Sequence, residues 1–498
     1  MNLKKILVGI EGLKARGNLD IEITSIENDC RTVKEGSLFI AIKGYSVDGH
    51  DFINKAIENG AKAIIFSENS NYRDLVKFKD VTFIMAKDTR LALALCSCNF
   101  YDNPSHKMKV IGITGTKGKT TTSFMIKSIL EKKGIKVGLI GTIASYIGDE
   151  KISNSDRTTP ESHKLQKMLD LMYKSNVEVV VMEVSSQSLK LNRVAGMKFY
   201  SGIFTNLSKD HISNNEHENM EEYFECKMKL FDMCMYAYIN ADNLYTSKVA
   251  KMIEDKCKVE TYGIDNYCNF IAKDVTITNT YSDFKVKIGT KNERIKVSIP
   301  GRFSIYNALA AIKVSLLLGV SVENIKEALE NIRVPGRSEL VENKMDLKIM
   351  IDYAHTPDSL ESILKTVKEH TVGRLICVFG CGGDRDRTKR PLMGTVSGTI
   401  ADYTIVTSDN PRTENPLEII KEIEVGISKT KAKYELVENR KEAIEKAINM
   451  AQKNDMIVIA GKGHEIYQEI SNEKIPFDER KIITDVISNI IKNNKKKK

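Results

Sequence analysis

No apolar run in the 498-residue chain is long enough to cross a bilayer, which excludes a helical membrane-spanning protein. The apolar part of residues 1–10 is too short for a signal peptide, so a cytoplasmic protein is expected. Paired CxxC sets are absent. The nine cysteines are odd in number and scattered, which argues for free thiols rather than a disulfide frame or a zinc site. No aromatic-plus-basic stacking motif and no zinc finger occurs, so nucleic acid is not the expected partner. Internal repeats are lacking, which excludes a solenoid.

The composition that remains is that of a globular protein, 42% apolar and 28% charged. A chain of 498 residues is too long for one core. The net charge is +9; part of it lies in the closing NNKKKK stretch, which is expected to be a disordered, solvated tail. The rest suits anionic small molecules.

Three regions separate along the chain. Up to residue 105, strand-like runs at 37–42 and 62–66 flank a helical stretch at 52–59, and Asn103-Pro104-Ser105 reads as a linker. From Lys109 onward, apolar runs alternate with helical patterns, the signature of a parallel sheet. A second break falls at Val334-Pro335-Gly336, after a helix-like stretch at 321–332. The expected fold is therefore α/β with three domains, 1–105, 106–334 and 335–498. In the last, apolar runs at 347–351, 375–379, 403–407 and 456–460 each lead into polar, mostly Gly- or Asp-rich loops. Ligands bind at such carboxyl ends in doubly wound sheets, although Gly and Asp also serve as plain turn formers.

The sharpest motif is Gly115-Thr116-Lys117-Gly118-Lys119-Thr120-Thr121, between a strand and a helix with an apolar face at Ile126, Ile129 and Leu130. Backbone N–H groups and the helix N-terminus there cradle phosphate oxygens, with Lys119 reaching the β/γ-phosphates of ATP and Thr120 a Mg²⁺ ion. Ile113 stands where the strict pattern has its first glycine, so this is a P-loop variant. The run 177–182 is a buried strand that ends in Glu183, the natural carboxylate partner of Mg²⁺ beside a P-loop. The next strand, expected at 202–207, leads to His211, a second candidate metal ligand.

These residues resemble the Mur ligases, ATP-dependent enzymes that build the peptidoglycan stem peptide, and the likeness runs along nearly the whole chain. It rests on residues 115–121, Glu183-Val184-Ser185-Ser186, Asn206-Leu207 and Asp210-His211. Asp29-Cys30-Arg31, residues 36–44 and 48–53, Thr158-Thr159-Pro160-Glu161, residues 380–385, Lys389-Arg390-Pro391, Asp409-Asn410-Pro411-Arg412 and 461–465 extend it to the branch that adds the third residue. The resemblance implies a small N-terminal α/β uridine-binding domain, a central P-loop-type parallel sheet and a C-terminal Rossmann-like domain. It implies that ATP phosphorylates UDP-N-acetylmuramoyl-L-alanyl-D-glutamate and that an amino acid displaces the phosphate. Mg²⁺ is then held by Thr120, Glu183, His211 and a carbamylated Lys227. ATP is also met by Asn307 at adenine, Asp352 at ribose and Arg337 at phosphate. The UDP-substrate falls to Cys30, Lys43, Gly44, Thr158, Thr159, Ser185 and Arg193.

The amino-acid site implied is Arg390, Asp409, Asn410, Pro411, Arg412, Gly461 and Glu465. Arginines there grip a carboxylate with paired N–H bonds, which favours meso-2,6-diaminopimelate over L-lysine. Gln187, Cys30, Leu191 and the run 212–217 depart from the usual pattern, all on the acceptor side. L-lysine, another amino acid or a modified acceptor therefore stays open beside diaminopimelate; residues 29–44 and 409–412 argue against a folylpolyglutamate synthetase, and the four ligand-type loops after residue 350 against a P-loop nucleotide-binding regulatory protein. A monomer acting on small molecules, without membrane insertion, is expected.

Overall fold

The computed structural model describes the chain except residues 46, 71, 73–76, 211, 213–215, 472, 497 and 498, and leaves out the side chains of 494–496. It divides into two compact units. One comprises Met1–Ile271 with Leu309–Ile325, the other Ala272–Ala308 with Lys326–Lys498.

The first unit holds two sheets. The smaller runs Lys14–Arg16, Thr82–Ala86, Ala61–Ser67, Ser37–Ile40, Ser25–Glu27, parallel except at the first pair. The larger runs Lys258–Gly263, Cys234–Asn240, Phe199–Phe204, Lys109–Thr114, Val179–Glu183, Val137–Ile140, Ala144–Ile147, Glu150–Asn154. Its pairings are parallel up to Val137–Ile140 and antiparallel beyond. Val179–Glu183 is buried at every position, as a central parallel strand covered on both faces must be.

The expected strand at 202–207 is observed as Phe199–Phe204. Thr205 N–H makes one last bond to the adjacent strand, to Thr114 O at 3.0 Å, and from there the polar groups turn to the glycine-rich loop. Thr116 N–H donates to Asn206 O at 2.9 Å, and Thr205 Oγ1 donates to Lys117 O at 2.7 Å. The backbone that would have extended the strand closes the glycine-rich loop instead.

In the second unit a sheet runs Glu339–Leu340, Lys348–Asp352, Met456–Ala460, Leu375–Phe379, Tyr403–Val406, Lys433–Leu436. Only its first pair is antiparallel. The helix Pro357–Lys368 starts with a capping box on Thr356 and Pro357 in its first turn, which together satisfy and pre-shape that turn. The closing basic stretch is a correction: the helix Glu479–Lys496 continues into it, anchored through buried Ile483, Val486 and Ile487. Lysine is a good helix former once an apolar face holds the helix down. Among the described residues no helix is long and apolar enough to cross a membrane.

Candidate active site

The strand Lys109–Thr114 delivers the chain into a turn that needs two glycines. Gly115 has φ 146° and Gly118 φ 88°. Gly118 is also the N-cap of the helix Lys119–Lys132 and offers no side-chain cap, so the first N–H groups of that helix are left for an anion. A Cβ added at Gly115 would overlap Thr205 Oγ1 and crowd Asn206. Gly115→Ala is expected to lose about 2 kcal/mol of stability or more, through overpacking and backbone strain. An unchanged melting temperature would show that the loop tolerates the methyl group.

Glu183 sits at the strand end beside this loop and is 1% exposed. Thr120 Oγ1 donates to its Oε2 at 3.1 Å, and Thr142 donates through its N–H at 2.9 Å and its hydroxyl at 2.9 Å. Among the described residues no cationic side chain is paired with this buried carboxylate. An anion held only by neutral donors fits a divalent cation.

Lys119 Nζ donates to Gly115 O at 2.9 Å and Thr116 O at 3.0 Å. Lys227, on the helix Met220–Met228, reaches the same carbonyl: its Nζ donates to Gly115 O at 3.0 Å and lies 4.3 Å from the Tyr223 ring centre. Burial, and then the charge of Lys119, hold the Lys227 amine well below the ordinary lysine range. Lys229, two residues on, is exposed. His211 lies outside the described residues. Nearby, His217, Glu222 and Cys226 bring ligand-type atoms within 4.8 Å of one another. Lys190 Nζ stands 2.7 Å from Glu222 and supplies its counter-charge.

On the acceptor side, Thr159 Oγ1 donates to Glu183 O at 2.9 Å and accepts from Ser185 N–H at 3.1 Å. Arg193 is buried, donates to Thr159 O at 3.2 Å and pairs with Glu161 at 3.0 Å. Its Nε has no hydrogen-bond partner among the described residues. Thr158 Oγ1 lies 3.1 Å from Thr142 Oγ1. Cys30 opens a short turn capped by Asp29, while Lys43 and Gly44 are exposed.

In the second unit, Asp352 ends its strand and accepts from Ser338 N–H at 2.7 Å; burial holds its carboxyl above the usual range. Arg337 lies over the Tyr353 ring at 4.5 Å, and Asn307 is buried in the helix Arg302–Leu317. Asp409 and Asn410 are buried and Pro411 follows them. Asn410 Nδ2 donates to Glu465 Oε2 at 2.7 Å, while its Oδ1 accepts from Lys462 Nζ at 2.8 Å. Asp409 Oδ2 is buried without a hydrogen-bond partner among the described residues, and a side chain at Gly461 would collide with it at 2.5 Å. Arg412 donates from Nε to Glu469 at 3.0 Å and from Nη1 to Gly383 O at 2.7 Å.

Arg390 is engaged by two carboxylates of its own unit. It is 0% exposed, and Glu414 and Glu422 take its donors at 2.8–2.9 Å. The guanidinium in turn pulls the Glu414 carboxyl down to about 2. The two carboxylates and Gly382 O take the Nη donors, while the buried Nε has no hydrogen-bond partner among the described residues.

Three domain families match the chain in sequence: "Mur ligase family, catalytic domain" at residues 22–101, "Mur ligase middle domain" at 113–315 and "Mur ligase, glutamate ligase domain" at 336–463. A protein from Clostridium acetobutylicum, named UDP-N-acetylmuramoyl-L-alanyl-D-glutamate–2,6-diaminopimelate ligase 1, is 47% identical over 98% of this chain and 100% of its own length. A ligase of the same name, without the numeral, from Clostridium botulinum is 49% identical over 98% and 100%. The chain belongs to the Mur ligase family. A solved structure titled as such a diaminopimelate ligase superposes with a TM-score of 0.70 at 28% identity, covering 99% of each chain.

Two residues of this Mur ligase were given no role in the sequence reading of the site, although Asn206 was part of the resemblance. Asn206 accepts from Lys117 N–H at 2.9 Å and donates to Lys117 O at 3.0 Å, holding the loop from below. Its signal was a polar residue at a strand end. Thr142 had no signal, because its role comes only from the packing of its turn against Glu183.

Proposed function

We propose that this Mur ligase adds meso-2,6-diaminopimelate to UDP-N-acetylmuramoyl-L-alanyl-D-glutamate at the expense of ATP. The observation that carries the substrate reading is the pair of unsatisfied groups in the second unit. Asp409 Oδ2 is a buried acceptor without a partner among the described residues, and Arg412 Nη2 makes no hydrogen bond there. One suits an ammonium and the other a carboxylate, the two groups at the far end of diaminopimelate. The names of the full-length relatives support the same reading.

A carboxylate is a poor acylating agent until its oxygen becomes a phosphate leaving group. The terminal carboxylate of the acceptor attacks the γ-phosphorus of ATP, the bond to the β-phosphate oxygen breaks, and ADP forms. The amine then attacks the acyl carbon; the C–N bond forms, the bond to the phosphate oxygen breaks, and the ammonium loses its proton. Lys119 and the open N–H groups after Gly118 bind and orient the transferred phosphoryl. Thr120, Glu183, His211 and a carbamylated Lys227 are the residues that would hold Mg²⁺. Bound there, Mg²⁺ supplies positive charge against the phosphate oxygens. Arg193, Thr159 and Ser185 position the acceptor.

Phosphate release measured with ATP, Mg²⁺ and the UDP-dipeptide is expected to require an amine and to be fastest with meso-diaminopimelate. Release with neither meso-diaminopimelate nor L-lysine would sink the ligase reading; a preference for L-lysine would sink the role of Arg412.

A further inference from the structure

The loop from Asp409 to Arg412 owes its shape to a strand almost sixty residues away in sequence. Tyr467–Ile470 runs beside it and ties it down residue by residue. Gln468 Nε2 donates to Asp409 O at 2.8 Å, and Glu469 N–H donates to Asn410 Oδ1 at 3.0 Å. Arg412 N–H donates to Glu469 O at 3.0 Å, and Ser471 N–H returns a bond to Arg412 O at 2.8 Å. Arg412 is thereby held at φ 53°, in the left-handed region that a long side chain seldom adopts. This fixes the direction in which its side chain leaves the backbone.

One side-chain contact fixes the rest. Glu469 Oε2 accepts from Arg412 Nε at 3.0 Å, and Gly383 O accepts from Nη1 at 2.7 Å. Two of the three guanidinium nitrogens are therefore pinned by protein acceptors. The Nη2 edge stays available for an oxygen anion, which meets it without displacing Glu469. Without that carboxylate the flexible arginine stem has a single anchor, and ordering it falls to the ligand's binding energy. Glu469 also neutralises Arg412 in the partly buried cradle, where an unpaired charge is costly.

We infer that Glu469 is a positioning residue that sets the preference for an amine substrate whose far end bears a carboxylate. The inference rests on the diaminopimelate reading given above. Its contribution is specific: an amine without the second carboxylate gains nothing from an oriented Arg412.

The test compares the full-length enzyme with Glu469→Ala and Glu469→Gln, using meso-diaminopimelate and L-lysine as amines. In Glu469→Ala the ratio of kcat/KM for meso-diaminopimelate over L-lysine is expected to fall about tenfold, the worth of one charge-assisted hydrogen bond, through KM for meso-diaminopimelate. KM for ATP should not move. Glutamine still accepts from Nε, so Glu469→Gln should recover most of the ratio. Adding Glu469→Ala to Arg412→Ala should change it little further, because the two act through one contact. An unaltered ratio in Glu469→Ala overturns the inference, as does an equal loss with both amines. If Glu469→Ala proves unfolded by its melting curve, Glu469→Gln decides, and a collapsed ratio there overturns the positioning role. Wild-type enzyme that never turns over meso-diaminopimelate removes the functional reading itself, which is seen before any variant is made.

Discussion

Replacing Lys119 by alanine is expected to lower kcat by about a thousandfold or more, since it removes the charge proposed to bind the transferred phosphoryl. The fold should survive. Lys119 Nζ is only part-buried, and the carbonyl of Gly115 that it serves also accepts from Lys227 Nζ at 3.0 Å. The helix Lys119–Lys132 keeps its buried face at Met125, Ile126, Ile129 and Leu130. Phosphate release and a circular-dichroism melt check the two halves separately. A variant that has unfolded makes Lys119 structural, and one that retains turnover removes it from the chemistry.

The second large effect is expected at Lys227. Its amine is buried, faces Gly115 O and shares that carbonyl with Lys119. Burial disfavours the charged amine, and the Lys119 ammonium on the same carbonyl adds to the penalty, so the Lys227 amine is driven toward its neutral form. A neutral amine adds to carbon dioxide and releases a proton, giving a carbamate. The local charge then changes from repelling Lys119 to attracting it, in a place suited to a divalent cation.

The sign of the pH dependence follows. With its folded-state pKa depressed, Lys227 accepts a proton only as pH falls through that lowered value, and the proposed carbamate is expected to be lost there. Lys227→Ala is expected to cost about a thousandfold in kcat. Wild-type enzyme should lose activity in carbon dioxide-free buffer and regain it with bicarbonate. Enzyme given ¹³C-bicarbonate should show a carbamate resonance that Lys227→Ala lacks. If that resonance persists in the variant, the modified residue is another one.

Much of the fold was legible because parallel strands buried on both faces read as short, unbroken apolar runs. Those expected at 375–379 and 456–460 are observed as Leu375–Phe379 and Met456–Ala460. The strand expected to end at 207 was misplaced for a local reason: nothing in the sequence says that the Thr205 hydroxyl and Asn206 bond to the P-loop. The basic C-terminus failed differently, since charge alone does not reveal a helix already anchored by Ile483 and Ile487.

The P-loop variant was legible in the sequence because Gly115, Gly118, Lys119 and Thr120 act through local geometry. The turn, the helix N-terminus and the lysine lie within one short stretch, so the motif reads as a unit, although Asn206, Glu183 and Lys227 reach it from far along the chain. The sequence also placed Asp409 and Arg412 at a strand end, where ligands bind. Only the tertiary structure decided which lysine is buried, Lys227 and not Lys229. It also turned Arg390 inward, where Glu414 and Glu422 enclose it, and set Thr142 against Glu183 and Glu469 against Arg412. These are contacts between residues far apart in the chain. Burial and charge pairing depend on what packing brings alongside a side chain, and that neighbour is not written beside it in the sequence.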